Sequence, residues 1–345
     1  MSVSYGGDSI TFADSSTITS GWTGFKNRVI NGAMVIDQRY SGSANTVPND
    51  TAQYVMDRWR FYENTDGVIS VQRISSDAPE GYRYSAKVTV STADTSLSAS
   101  QIAIVSHRIE GYNMDDFNWG KSTARTATLS FWVKSSLTGK FSGSFYNMNS
   151  GSVQRTYVFD YTIDSANTWE KKTVTIVGDT NTNWNSGTDA TVEIIWGFGT
   201  GSNYKTGTVN QWFTGFASQS TGSVDLIGTL NATWQITGVQ FEVGSTASSF
   251  EYRPYTTELA LCQRYYEVMG TASQIWFVTY SAYSSGSLGN STPWKVQKCK
   301  TPVVTTGTIY AITLTPYDWG FQLYSTTGGY VSPYVYGTIV ANAEL

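Results

Sequence analysis

Few residues in this sequence are placed to do acid–base, nucleophilic or metal chemistry. His107, in IVSHRIEG, is the sole histidine, so a histidine-rich metal site is excluded and a Ser-His-Asp triad would have to use it. No serine stands in a GxSxG turn, and His107 reads as a satisfied strand residue. Asp115 and Asp116, in GYNMDDFNWG, admit three readings. They suit a surface turn, or they could give carboxylate oxygens to Ca²⁺. Glycoside hydrolysis would need a further carboxylate facing them across the bond. Cys262 and Cys299 read as reduced structural thiols, because disulfides rarely persist in cytosol. No Walker A, GxGxxG or CxxC run occurs, so no cofactor is expected beyond a possible structural calcium. No enzyme is expected.

What remains is surface recognition. Aromatic residues make up 14% of the chain, with 23 Tyr and 12 Trp, while charged residues reach only 14%, against about 25% in a typical soluble domain. Tyr and Trp give large rigid contact area, and Ser, Asn and Gly give adaptable hydrogen bonds. Aromatic faces flanked by Asn, Asp and Gln also suit sugar rings, whose C–H faces stack on an indole while amides bind hydroxyls. Two long loops carry such residues: 178–189 holds Trp184, and 200–222 holds Tyr204, Trp212, Phe213 and Phe216. Loops of this length are uncommon unless functional or packed on a neighbour. Their aromatics read either as anchors on the body or as exposed contacts. The candidate contact residues are Trp184, Tyr204 and Trp212, with Trp276, Tyr280 and Trp319 nearer the C-terminus. A net charge of −4 gives nucleic acid no electrostatic footing. No run of 18 apolar residues exists, so no membrane-spanning helix is expected. The start, MSVSYGGDSITFADSS, has neither the basic nor the apolar part of a signal peptide, from which synthesis and retention in a cytoplasm are expected.

The elements that must position these residues are strands. Turn chemistry separates apolar, alternating runs at Gly67–Ile74, Tyr82–Val90, Gln101–Glu110, Thr126–Lys134, Gly139–Tyr146, Gln154–Ile163, Glu170–Val177, Thr191–Gly199 and Trp234–Val243. This pattern predicts an all-β fold, most simply a jelly-roll β-sandwich over 26–255. Val29, Met34 and Ile36 are expected in its first strand around the turn dipeptide Asn31-Gly32. Val55, Asp57, Trp59 and Phe61 are expected on one strand face, with Asp57 paired to Arg58, Arg60 or Arg28. At Gly238 the alternation slips by one, the mark of a bulge. Thr256-Thr257-Glu258 opens the one helical start signal, giving a short helical linker over 256–267. Residues 268–345 read as a small C-terminal β-module with runs at Gln274–Tyr283, Trp294–Cys299, Pro302–Thr308, Tyr310–Thr315, Gly320–Tyr324 and Tyr334–Ala341. Its core would be thin, so oligomerisation is the remaining support, most naturally as a homotrimer. A fragment ending near Tyr255 is accordingly expected to stay a soluble sandwich. Residues 1–25 are too polar to fold alone and read as an N-terminal arm that orders on a partner.

Several stretches resemble a known group. NRVINGAMVIDQR, VMDRWRF, HRIEGYNMDDFNWG, TATLSFWVKSSLTGKFSGSF, NTWEKKTVTIVGDT and ITGVQFEVGSTASSFEYRPYTTELALCQRYYE are similar to tail-fibre-like structural proteins of tailed bacteriophages, across about residues 26–267. SITFADSSTITS looks like the end of a fibre-type N-terminal segment, cut short, and ANAEL also looks like such proteins. The resemblance implies a sandwich similar to carbohydrate-binding modules followed by a small β-module, in a trimeric virion protein, and it does not imply catalysis. Three functions follow as expectations: a tail fibre or receptor-binding protein attaching to host surface polysaccharide, a capsid decoration or head-fibre protein docked to other virion proteins through 1–25, or a polysaccharide depolymerase. The mounting point (tail, baseplate or capsid) stays open.

Overall fold

The computed structural model describes residues 4–6, 9–11, 17–19, 25–149, 151–270, 274–276, 290–310, 312–325 and 334–345. The body is a sandwich of β1 (Asn45–Thr46), β2 (Gln53–Met56), β3 (Trp59–Glu63), β4 (Val68–Ile74), β5 (Ser85–Thr92), β6 (Ile102–Glu110), β7 (Ala127–Ser135), β8 (Gly139–Asn147), β9 (Arg155–Ile163), β10 (Glu170–Ile176), β11 (Ala190–Thr200), β12 (Trp212–Thr214) and β13 (Thr233–Val243). One sheet runs β10-β7-β13-β5-β4-β1 and the other β12-β9-β8-β11-β6-β3-β2. The chain crosses between sheets at β1–β2, β3–β4, β5–β6, β6–β7, β7–β8, β9–β10, β10–β11 and β12–β13, which is a jelly-roll winding. Inward alternation explains the core: Phe141 and Phe145, Phe159 and Tyr161, Val192 and Trp196, and Phe131 and Phe241 meet between the sheets. Trp59 packs on Trp196 with ring centroids 5.7 Å apart, and Phe198 on Trp234 at 5.0 Å.

The bulge at Gly238 is present. Ser130 faces Gln240 while Trp132 faces Thr237, and Gly238 has φ 61° with the Tyr82 ring 2.6 Å from where a Cβ would lie. Four expectations are corrected. Val29, Met34 and Ile36 are buried but lie on no strand. Their loop is held instead by the Asn31 side chain, which binds both the amide and the carbonyl of Ile36, and by close approach of Gly32 to the Val239 carbonyl. Residues 53–63 form a hairpin, not one strand, because Arg58 takes φ 72° at its tip. Asp57 is buried as expected, but its partners are Gln38 (2.8 and 2.6 Å) and Arg39 (3.8 Å) rather than Arg58, Arg60 or Arg28. Trp294–Cys299 is also not a strand.

α1 (Tyr255–Gln263) starts where expected, behind Pro254, but stops short of 267, because Tyr266 and Glu267 already pair with Asn342 and Ala341. It leads to β14 (Tyr266–Met269), β15 (Gln274–Trp276), β16 (Asn290–Pro293), β17 (Val303–Tyr310), β18 (Ile312–Pro316), β19 (Gly320–Ser325) and β20 (Tyr334–Asn342). These make two small sheets, β14-β20-β15 with β17 also on β20, and β16-β19-β18. Among the described residues their shared core is thin: Trp294, Phe321, Leu323, Val335, Ile339 and Ala341. A separate apolar cluster, Ile30, Ile36, Cys262, Tyr265, Cys299 and Ala343, joins this module to the sandwich and contains both free cysteines. Burial pushes both thiols up, so they are inert packing groups. In the arm, Ser4–Gly6, Ser9–Thr11 and Thr17–Thr19 pair as an antiparallel three-stranded sheet.

His107 is fully buried against Trp59. Its Nε2 accepts from the Ile30 amide (3.3 Å), and its Nδ1–H donates to the Arg58 carbonyl (3.1 Å). Burial first, then Arg58, holds its pKa well below the usual 6.5. The unfolded chain takes up this proton near 6.5, and the folded chain only far below it. Stability from His107 is therefore present above about pH 6.5 and is lost as pH falls, by at most about 1.4 kcal/mol per pH unit. Urea unfolding between pH 7 and 5 should show this slope in the parent and lose it in His107→Gln. An identical slope in both proteins would exclude a buried neutral imidazole.

Candidate functional site

Two loops at one end of the sandwich build a pocket. The first leaves β6 as two turns of 3-10 helix, Gly111–Asn113 and Asp115–Phe117. The second is 178–189, between β10 and β11. They are stitched by backbone bonds from Gly111 to Asp189 (3.0 Å), Tyr112 to Gly187 (2.9 Å) and Gly120 to Asp179 (2.6 Å). Two glycines make the approach possible. A Cβ on Gly111 would stand 2.5 Å from the Asn185 carbonyl, and one on Gly120, which has φ +87°, would stand 2.3 Å from the Thr182 carbonyl and 3.1 Å from the Trp184 ring.

Three indoles lie where the loops meet. Trp119, Trp184 and Trp212 pack edge to face, with centroids 5.0, 5.4 and 5.4 Å apart and interplanar angles of 69–77°. Each ring N–H is satisfied inside the protein: Trp119 donates to the Arg125 carbonyl (2.9 Å), Trp184 to the Asp179 carboxylate (3.3 Å) and Trp212 to the Val177 carbonyl (2.7 Å). Asp179 is buried and ion-paired with Arg155 at 3.0 Å, which fixes the acceptor and so the orientation of Trp184. The pocket beside them has a volume of about 320 Å³ and is lined by Met114, Asp115, Asn118, Trp119, Lys121, Trp184, Asn185 and Ser186. That lies at the small end of the range for small-molecule sites. The arrangement offers indole carbon surface for stacking and a rim of two amides, a carboxylate, a hydroxyl and an ammonium for hydrogen bonds. This is chemistry for a polyhydroxylated ring.

The candidate residues separate in space. Trp184 lines the pocket and Trp212 buttresses it from behind. Asp115 reaches the rim, where the Ser186 hydroxyl donates to it at 2.7 Å. Asp116 turns away to Arg28 (2.8 Å), so the adjacent acids do not converge on a shared calcium. Among the described residues no group of three or more His, Cys, Asp or Glu side chains gathers as metal ligands. Tyr204 lies elsewhere, on the outer face of the seven-stranded sheet, with Phe216 at 5.5 Å. Trp319 sits at the β18–β19 turn, 41% exposed and stacked on Tyr317 at 5.2 Å. Trp276 contributes backbone pairing to Tyr334, and its side chain and all of Tyr280 lie outside the described residues. Trp119, Asn118 and Lys121 were legible only as the residues after the acid pair, in NWGK. The signal that could have marked them is a tryptophan followed by glycine inside a polar loop.

No protein-family model matches the chain, and no curated protein matches it. Among solved structures, it is similar to the enzymatically active domain of tailspike protein 4 of bacteriophage CBA120 (12% identity, TM-score 0.33), over 63% of this chain and 21% of that one. The chain thus spans about a fifth of the tailspike structure. It is also similar to a CBM22-1 xylan-binding domain from Paenibacillus barcinonensis (10%, TM-score 0.30, 61% and 99%). A family 11 carbohydrate-binding module from Clostridium thermocellum matches at 10%, TM-score 0.30, 59% and 98%. At TM-scores this low, the fold is defined by the strand pairing of the chain itself.

Gly120→Ala should test the stitching of the loops. The left-handed backbone and the overlap with Thr182 predict a loss of about 1–3 kcal/mol and a changed near-ultraviolet tryptophan signal. Unchanged stability together with an unchanged signal would contradict the geometry.

Proposed function

We propose that this chain is a non-catalytic glycan-binding protein whose ligand stacks on Trp184 in the loop pocket. The observation that carries the reading is the indole wall. Its N–H groups are already bonded inward and its edges are locked by two further indoles, so what it offers a ligand is ring surface. Aromatic anchors in pockets of this kind dominate binding energies. Asp115 is the sole carboxylate among the lining residues, whereas glycoside hydrolysis needs two across the bond. The likeness of the quoted stretches to tail-fibre-like phage proteins supports a virion location, attachment to host surface polysaccharide and a homotrimer.

The direct test is retention of the purified full chain on immobilised host surface polysaccharides. Trp184→Ala should lower affinity at least about tenfold, a loss near 1.4 kcal/mol, in protein that circular dichroism shows to be folded. Equal retention of the variant and the parent would remove the pocket reading, and no retention of either would remove the glycan reading in favour of a structural decoration protein. New reducing ends released from the polysaccharide would replace binding with depolymerisation. A monomeric mass in light scattering would count against the trimer.

A further inference from the structure

The outer face of the seven-stranded sheet carries a charged patch that the indole pocket does not use. Strand register places it. Arg60 on β3 faces Ser106 on β6, which faces Ile195 on β11. One step along, Arg108 faces Glu193, which faces Tyr146 on β8. Glu193 is nearly buried and accepts from the Ser106 hydroxyl (2.7 Å) and the Arg108 Nε (3.1 Å). Arg108 also donates to the Leu345 carbonyl at 2.7 Å. Arg108 is therefore committed to holding the structure.

Arg60 is not. Its side chain is only 16% exposed, yet among the described residues its sole ionic contact is Glu193 at 3.6 Å. Its guanidinium lies over the Tyr62 ring at 5.4 Å, and among the described residues it donates no hydrogen bond. Burial holds its pKa below the ordinary value despite Glu193, and Arg108 pushes the same way. A guanidinium has five donors in a planar fork that suits a carboxylate. The Arg60 nitrogens are not sealed from solvent, so a carboxylate can take that fork in place of water. The surroundings suit a sugar ring: Tyr62, Tyr146, Tyr204 and Phe216 pack with Ile102, Ile104 and Ile195 on this same face.

We infer that Arg60 anchors a second binding site, on the outer face of the seven-stranded sheet, for a carboxylate-bearing sugar residue of an acidic polysaccharide. The carboxylate takes the guanidinium fork, and the ring lies against the tyrosine-lined apolar surface. The inference does not rest on the indole pocket.

The test uses the full chain on a panel of immobilised polysaccharides: uronate-bearing, sialate-bearing, phosphate-bearing and neutral, with carboxyl-reduced versions of the acidic members. Carboxylate-bearing members should retain the protein. Their retention should fall with rising salt, and at least tenfold on carboxyl reduction or in Arg60→Gln. Arg60→Lys keeps the charge without the fork and should fall between. Because Arg60 makes no hydrogen bond among the described residues, and Glu193 keeps Ser106 and Arg108, both variants should melt close to the parent. Retention on neutral members through Trp184 should be unaffected, so the two sites fail separately. The inference is overturned if no carboxylate-bearing member retains the protein, if only phosphate-bearing members do, or if Arg60→Gln binds as the parent does.

Discussion

The structure depends on a buried guanidinium. Arg58 is 1% exposed, at the tip of the β2–β3 hairpin, in a left-handed backbone conformation. A charge so placed needs partners, and nearly all of them come from elsewhere in the chain. Glu344 pairs with it, the Tyr265 ring lies 3.6 Å from it, and it donates to the Arg108 carbonyl. Arg39 extends the network, pairing with Glu344 at 3.2 Å and stacking on Tyr266 at 3.5 Å. Glu110 binds Arg264 and the Tyr265 hydroxyl. Removing one partner from such a pair strands the other, at a cost of about 3–5 kcal/mol. The last residues of the C-terminal module are thus structural parts of the sandwich, and the segment between them is a packed joint, not a loose hinge.

Both proposed binding surfaces begin at this joint. The strand that leaves the Arg58 turn carries Arg60 and Tyr62 outward on the seven-stranded sheet. The strand that ends at Glu110 is pinned there by Arg264 and Tyr265, and the next residue, Gly111, opens the loop that builds the indole pocket. The joint therefore sets the starting direction of one wall of the pocket and the exposure of the tyrosine-lined face. Each is an aromatic platform with polar groups at its margin, and a platform already in place limits ordering cost on binding.

Much of the sandwich was legible from alternation alone. The run Leu129–Lys134, with its inward Leu129, Phe131 and Val133, could only be a half-buried strand, and the slip at Gly238 could only be a bulge. What failed were features set by distant partners. Asp57 needed a cation, but nothing local says that Arg39 rather than Arg58 supplies it. Residues 29–36 look like a strand because they are apolar, yet Asn31 and Gly32 satisfy their backbone in another way. The binding residues were half legible for the same reason. Trp184 and Trp212 drew attention as aromatics in long loops, while Trp119 became part of a site only through a glycine that lets a second loop touch it. Arg60 drew attention only as a candidate partner of Asp57, and its place beside Tyr62 on the outer face follows from strand register that the sequence does not state.

The most direct test of this account is the equilibrium unfolding of a fragment ending at Tyr255 beside the full chain, followed by tryptophan fluorescence and circular dichroism. Without Tyr265, Arg264 and Glu344, the fragment keeps Arg58 and Glu110 but loses the groups that neutralise them. It should therefore be unfolded or several kcal/mol less stable. A fragment that unfolds cooperatively at the same denaturant concentration as the sandwich in the full chain would contradict the central place of the joint.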